Sequence, residues 1–216
     1  EGELVNEEAK MQISFKVPLI ERDLLVLGDS FYFGFTLQSF WQVYNRESSA
    51  PFRETSYQPE FFYTMPFGIT REGRGAALRL GAEHQSNGQS NALSRSWNRV
   101  YTQFFYAREN YLISLRPWYR LPEEKKDGPL DASGDDNPDI DDYMGYFELQ
   151  AVVERRKYEY SLLLRNNLRG ENHGAIELGV SFPLWGRVRG YAPYFNGYGE
   201  SLIDYNYRSQ RFGVGV

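Results

Sequence analysis

The chain has 216 residues, no cysteine and a formal net charge of −5. A chain of this length fits one domain, and we treat residues 1–216 as a single domain. The lack of cysteine excludes disulfide and thiolate chemistry, and the lack of a basic excess argues against nucleic acid as a partner. A mean hydropathy of −0.59, without any run of about 18 apolar residues, excludes a helical membrane protein. An aromatic content of 17% suits a barrel with aromatic girdles at both membrane interfaces.

Alternation of apolar and polar residues recurs along nearly the whole chain and predicts about eleven β-strands. In the first predicted strand, one face carries Met11, Ile13, Phe15, Val17 and Leu19. The others lie near residues 31–43, 56–67, 75–87, 94–107, 110–121, 142–154, 157–167, 174–184, 187–198 and 208–216. Most are long enough to cross a bilayer as tilted strands, which takes about 9–11 residues. The pattern therefore predicts an all-β fold, an antiparallel transmembrane β-barrel.

The predicted connections alternate in length. Tight ones lie near 68–74, 107–110, 155–157 and 185–187, and longer ones near 44–55, 122–141, 168–173 and 199–207. Outer-membrane barrels show this asymmetry, with short periplasmic turns and longer external loops. Alternation alone does not distinguish the inside of a barrel from its outside, so a soluble lipid-binding barrel with an apolar interior remains an alternative.

The same assignment of sides fixes the direction of the chain. The strand at 11–19 then runs inward, which places Glu1 outside and Val216 in the periplasm. Because bacterial single-chain barrels have an even number of strands and both ends inside, we expect a first strand upstream of this sequence and twelve in the intact protein.

The segment HQSNGQSNALSRSWNRVY, residues 84–101, carries the candidate chemistry. His84 and Ser86 lie two residues apart on a strand, so they share one face, and this face continues the apolar stripe of Leu78 and Leu80. After the turn, Asn98 returns on a position that can lie beside His84. Polar groups on a lipid-facing stripe cost free energy, so a functional role is the default interpretation. The loop assignment places all three near the external leaflet.

Four segments resemble the outer membrane phospholipase A family. They are SSAPFRETSYQPE (48–60), HQSNGQSNALSRSWNRVY (84–101), DDNPDIDDYMGY (135–146) and GYGESLIDYN (197–206), in the family's order. The resemblance implies a twelve-stranded barrel in the outer membrane of a Gram-negative bacterium. It also implies calcium-dependent hydrolysis of phospholipid acyl esters by a homodimer.

The resemblance also implies the role of each site residue. Ser86 would be the nucleophile, His84 the general base and Asn98 the group that orients the imidazole. The backbone N–H of Gly88, with calcium-bound water, would stabilise the oxyanion. The calcium ligands would be the Gln89 carbonyl, the Ser94 hydroxyl and a serine of the 44–55 loop from the second subunit. Two alignments of that loop are possible, one giving Ser48 and the other Ser49.

Other interpretations belong beside this one. A passive porin or structural barrel, in which the histidine and serine are incidental, is the alternative from another class. The acidic segment 131–142 lacks the ligand spacing of a calcium loop, so we expect a solvated external loop there. We assign the four tryptophans to interfacial girdles; they are Trp41, Trp97, Trp118 and Trp185.

Overall fold

The computed structural model describes residues 5–21, 23–45, 51–68, 74–126, 128, 131 and 134–216. In these residues the chain forms one antiparallel sheet of eleven strands, each paired with its neighbours in sequence. The strands are β1 (Ala9–Ile20), β2 (Ser30–Trp41), β3 (Phe52–Phe67), β4 (Gly75–Ser86), β5 (Ser96–Arg108), β6 (Tyr111–Arg120), β7 (Phe147–Arg155), β8 (Tyr158–Asn166), β9 (Gly174–Trp185), β10 (Val188–Tyr198) and β11 (Arg208–Phe212). This arrangement confirms the predicted all-β antiparallel fold. No helix within the described ranges is long and apolar enough to span a membrane.

The sheet curls until its first and last strands face each other. Glu8, just before β1, forms an ion pair with Arg211 of β11, and Lys10 of β1 lies 3.9 Å from Glu177 of β9. The ladders formed by the described residues do not include a pairing between β1 and β11. The two edges therefore meet through side chains, and the expected twelfth strand stays a prediction.

The two faces of the sheet differ in polarity. The outward face of β1 carries apolar side chains such as Ile13, which is 64% exposed, and Phe15. The inward face carries buried polar groups such as Glu83, Arg99 and Gln103. A lipid-facing apolar band around a polar interior is the arrangement of a membrane barrel, the reverse of a soluble lipid-binding barrel.

The end of the barrel with the longer loops is closed by an apolar cluster. A short helix, α1 (Ile140–Met144), lies in the loop between β6 and β7 and contributes both of its end residues. The buried members of the cluster are Phe62, Trp97, Tyr101, Trp118, Ile140, Met144, Leu202 and Tyr205. These loops therefore fold inward and seal this end of the lumen.

Two sequence predictions about this end are wrong. Trp97 and Trp118 are not girdle residues: they are 0% and 8% exposed and meet edge to face with 6.2 Å between ring centroids. Trp97 points inward because its neighbour Asn98 points outward, as alternation on a strand requires. The described part of the acidic segment, residues 131 and 134–142, is not a solvated loop either, since Asn137 and Ile140 are completely buried. Of the girdle candidates, Trp185 is the one that is largely exposed, at 68%.

Candidate active site

The hairpin of β4 and β5 brings the predicted histidine and asparagine together. His84 is paired directly with Asn98 in the antiparallel register, a position at which Cβ atoms lie about 4.5–5.5 Å apart. The side chains meet, with 2.9 Å between His84 Nδ1 and Asn98 Oδ1. Both side chains are half-buried on the outward face of the barrel.

This contact determines the state of the imidazole ring. An amide oxygen only accepts hydrogen bonds. Nδ1 of neutral His84 must therefore carry the ring proton and donate a hydrogen bond to Asn98 Oδ1. The other ring nitrogen, Nε2, is then free to accept a proton. Ser86 lies two residues on, on the same face. Within the described part of the chain, no direct hydrogen bond joins Ser86 to His84, and such contacts commonly tighten only when substrate is bound.

Asn98 has a second partner that the sequence did not reveal. Its Nδ2 donates a hydrogen bond to Glu123 Oε1 at 3.1 Å. Glu123 follows β6 and comes near Asn98 only through the pairing of β5 with β6. No local motif signals this contact, because it depends on the register of two strands.

The turn from 87 to 95 is held by a residue that sequence reasoning also missed. Asn87 is buried, and its Oδ1 accepts hydrogen bonds from the amides of Gln89 and Arg95 at 3.2 and 2.9 Å. Its Nδ2 donates to the carbonyl of Leu93 at 2.9 Å. The Asn-Gly dipeptide at 87–88 signals a turn, but it does not show that this side chain ties the turn together. Asn87 thereby fixes the backbone on both sides of Ser94.

Gly88 occupies a position whose backbone conformation favours glycine. Its φ is +63°, in the left-handed region, and an added Cβ would lie 3.3 Å from the ring of Tyr57. Tyr57 is paired with Ser86 on the neighbouring strand β3, so its ring borders the site. Gly88 is exposed, so its backbone N–H can be approached from outside the barrel.

Ser94 lies at the end of this turn, beside a carboxylate. Its Oγ donates to Asp136 Oδ2 at 2.7 Å, and Ser96 Oγ donates to the same oxygen at 3.2 Å. Asp136 also forms an ion pair with Lys126. Burial opposes ionisation of Asp136, but these hydrogen bonds and the nearby ammonium outweigh it and hold the pKa of Asp136 below its ordinary value.

The donor atoms around the turn bear on whether a metal ion fits here. The described residues contain no cluster of three or more His, Cys, Asp or Glu side chains that could hold a metal. A cation at Gln89 and Ser94 would instead be held by carbonyl and hydroxyl oxygens, which are hard donors of the kind calcium prefers. Ser48 and Ser49, the other predicted ligands, lie outside the described residues.

The inner side of the same hairpin is filled by buried charges. Glu83 forms an ion pair with Arg99, with 2.5 Å between the charged atoms, and accepts hydrogen bonds from Arg116 and, at 2.7 Å, from Gln58. Next to it, Gln85 Nε2 donates to Ser56 at 3.0 Å, and its Oε1 accepts from Trp97 at 2.9 Å. These contacts fix the backbone of β4 from within the lumen, directly behind His84 and Ser86.

The fold and the site define a class of protein: an antiparallel membrane-type β-barrel with a serine, a histidine and an asparagine on its outer wall. The family model of phospholipase A1 matches residues 1–216, and the chain belongs to the phospholipase A1 family.

Solved structures and a relative agree with this assignment. Outer membrane phospholipase A from Escherichia coli is 38% identical with a TM-score of 0.85, over 96% of this chain and 77% of that one. The Salmonella typhi outer membrane phospholipase dimer with bound calcium is 37% identical, also with a TM-score of 0.85, over the same shares of the two chains. A relative from Neisseria meningitidis serogroup B is 42% identical over the whole of this chain, which spans 55% of that relative's length.

Proposed function

We propose that this protein is a calcium-dependent outer-membrane phospholipase that hydrolyses the acyl ester bonds of phospholipids and acts as a homodimer. The observation that carries this proposal is the 2.9 Å contact between His84 Nδ1 and Asn98 Oδ1 on the outer wall of the barrel. The contact fixes the tautomer that a general base needs, and Ser86 lies on the same face two residues away. Family membership supplies the substrate class.

The proposed reaction is acyl transfer in two steps. His84 Nε2 takes the hydroxyl proton of Ser86 as its Oγ attacks the ester carbonyl, and the proton passes to the leaving alcohol. A water molecule, activated by the same nitrogen, then hydrolyses the acyl-enzyme and frees Ser86. Asn98 holds the ring in place throughout. The amide of Gly88, two residues after Ser86, donates to the oxyanion.

The position of the site matches a substrate that arrives from the membrane. His84 and Ser86 continue the outward stripe of β4 near the end with the longer loops, which in outer-membrane barrels is the external end. The ester bonds of a phospholipid lie between the head groups and the acyl chains, at this depth. The substrate would therefore reach Ser86 sideways from the external leaflet, with its acyl chains along the apolar wall.

The residues around the turn suit calcium. Gln89 would contribute its carbonyl and Ser94 its hydroxyl, with Ser48 or Ser49 from a second copy of the chain. When bound, calcium supplies positive charge beside the position of the oxyanion. Position 89 needs only a backbone carbonyl, so the identity of its side chain does not matter to this role.

A dimer supplies what one barrel lacks. The outer wall at Ser86 is a shallow surface between strands, and a wall of this kind offers no cleft for an acyl chain. A second barrel placed against it would create apolar grooves and bring the 44–55 loop to the calcium site. The Salmonella relative with calcium is a dimer.

The interior argues against a passive pore. A cavity of about 390 Å³ lies in the lumen, lined by charged residues of both signs such as Arg116 and Glu148. One end is sealed by the apolar cluster around Trp97 and Ile140. The cavity is bounded by charged side chains and by this cluster at one end, which favours the enzyme over an open channel.

Hydrolysis of phospholipid in mixed micelles tests the proposal. We expect ester cleavage that EDTA abolishes and added calcium restores, and covalent labelling of Ser86 by a long-chain sulfonyl fluoride. The Ser86→Ala variant is the control for both measurements. Absence of cleavage with calcium present, or cleavage that EDTA leaves unchanged, would contradict the proposal.

A further inference from the structure

We propose that Glu123 is a positioning residue of the active site, which holds the side-chain amide of Asn98 in the orientation that His84 requires. This inference rests on the proposed function, because it assigns a role within the same reaction. It concerns a group that the sequence motif does not contain and that lies 25 residues from Asn98 along the chain.

The pairing of β5 with β6 brings Glu123 to Asn98. Beyond the last residue of β6, the amide of Leu121 still donates to the carbonyl of Asn98 at 2.8 Å. Pro122 has no N–H, so it cannot extend this ladder. Because side chains alternate between faces along an extended segment, Glu123 is directed to the same side as Leu121 and Asn98. The half-buried Glu123 carboxylate then accepts from Asn98 Nδ2 at 3.1 Å.

The contact matters because an asparagine side chain has two different ends. One end, the oxygen, only accepts hydrogen bonds, and the other, the NH₂ group, only donates. An ionised carboxylate only accepts, so Glu123 requires the NH₂ group of Asn98 on its side. The oxygen is thereby turned toward Nδ1 of His84. Hydrogen bonds to an ionised acceptor are about twice as strong as neutral ones, which makes this an effective anchor.

The opposite orientation would be unproductive. With the amide reversed, the NH₂ group of Asn98 would face His84, and Nδ1 would have to accept. The proton of the neutral ring would then lie on Nε2. A protonated Nε2 cannot take the hydroxyl proton of Ser86. A neutral asparagine therefore needs a neighbour that distinguishes its two ends, and Glu123 is in place to do so.

Two substitutions of Glu123 distinguish the role of its hydrogen-bond acceptor from that of its side-chain size. Glu123→Ala removes the acceptor, and we expect kcat to fall roughly tenfold, the scale of one hydrogen bond to a charged group. The rate of labelling by the sulfonyl fluoride should fall by a similar factor, with KM unchanged within about twofold. Glu123→Gln keeps a carbonyl acceptor for Asn98 but also carries an NH₂ donor, so we expect its kcat to lie between those of Glu123→Ala and the unmodified protein.

The neighbouring Glu124 offers a matched control. It has the same charge in the same loop and is exposed. We expect Glu124→Ala to have the kcat of the unmodified protein. Each variant is first compared by circular dichroism and by heat-dependent mobility in gels, which report whether the barrel is folded.

A double-mutant comparison decides whether Glu123 acts through Asn98. In an Asn98→Ala background, we expect Glu123→Ala to cause no further loss of kcat. An equal loss in both backgrounds, an undiminished kcat in Glu123→Ala, or a Glu123→Gln variant as impaired as Glu123→Ala would each overturn the inference. If the unmodified protein does not cleave phospholipid at all, the proposed function fails, and this inference fails with it. Failure of the inference alone leaves calcium-dependent cleavage by the unmodified protein intact.

Discussion

Strand β4 has two faces that differ in the partners of their polar groups. On the inner face, the Glu83 side chain is 0% exposed and is surrounded by Arg99, Arg116 and Gln58. On the outer face, His84 contacts Asn98, whereas among the described residues Ser86 is paired through its backbone alone. One strand thus carries a rigid set of buried charges on one side and a sparse set of reactive groups on the other.

This difference shows how a single β-sheet can carry a candidate active site on its outer face. The inner charges are paired with one another within the chain, and they fix the backbone that carries the outer groups. The outer groups keep unused hydrogen-bonding capacity, which the proposed substrate can take up. Substitutions on the two faces should therefore affect different properties.

Substitutions on the outer face should have the largest effect, and they should change activity without changing stability. We expect Ser86→Ala and His84→Ala each to lower kcat by roughly 10⁴-fold or more, because the two act as one unit. Asn98→Ala should lose less, since it orients the ring without touching the substrate. The free energy of unfolding should change by no more than about 0.5 kcal/mol for Ser86→Ala, a half-exposed site. Steady-state kinetics and urea unfolding in vesicles check this, and equal residual activity in all three variants would contradict the assigned roles.

The inner face should show the reverse pattern. Glu83→Ala leaves Arg99 and Arg116 without their shared partner, and we expect a loss of about 3–5 kcal/mol in the free energy of unfolding. The fraction of the Glu83→Ala protein that remains folded should keep its catalytic groups in place, so its kcat should change little. The control is Glu154→Ala at an exposed position of β7, for which we expect a change within about 0.5 kcal/mol. A Glu83→Ala protein as stable as this control would mean that the lumen network does not support the wall.

A substitution in the turn between β4 and β5 should change both catalytic activity and dimer formation. We expect Ser94→Ala to raise the calcium concentration for half-maximal activity by about tenfold or more. The calcium concentration for half-maximal cross-linking of the proposed dimer should rise by the same factor, because calcium binding and dimer association would be reciprocally coupled. Ser90→Ala is the control, since the Ser90 hydroxyl makes no capping hydrogen bond at the start of the 3-10 turn. Full calcium-dependent activity in a protein shown to be monomeric would contradict this coupling.

The smallest effect should lie at the opposite end of the barrel, in the turn before β2. Burial opposes ionisation of Asp29, but hydrogen bonds from Tyr63 and from the amides of Val26, Leu24 and Leu25 outweigh it and keep the pKa of Asp29 below its ordinary value of 3.8. A lowered pKa in the folded state stabilises the protein above the ordinary pKa, and this stabilisation is lost as the pH falls through the folded-state value.

We therefore expect Asp29→Asn to reduce stability at pH 7 and to flatten its decline in acid. Unfolding by urea between pH 7 and about pH 2 measures both effects. Glu21→Gln, at an exposed position just before the same turn, should follow the unmodified protein. If the free energy of unfolding falls in parallel for Asp29→Asn and the unmodified protein as the pH is lowered, this carboxylate contributes nothing to acid sensitivity.

The parts of this molecule that follow from local pattern could be predicted from the sequence. Alternation identified the strands, and the pairing of His84 with Asn98 followed from a hairpin whose turn residues are recognisable. Contacts between distant segments could not be predicted in this way. Trp97 was misassigned because its partners, Ile140 and Leu202, come from loops that fold back into the barrel. Glu123 was missed because its place depends on how far β6 pairs beyond its last strand residue.

The neutral amide of Asn98 has a consequence for the membrane. A carboxylate directly against His84 would place a full negative charge on a wall that faces acyl chains, where an ion is expensive to desolvate. In this barrel the charge of Glu123 lies one side chain further along, beyond the end of β6 and toward the loops. On the proposed function, the amide of Asn98 therefore separates two charges: the Glu123 carboxylate acts on the imidazole from the loop end of the wall, and the group in direct contact with His84 is neutral.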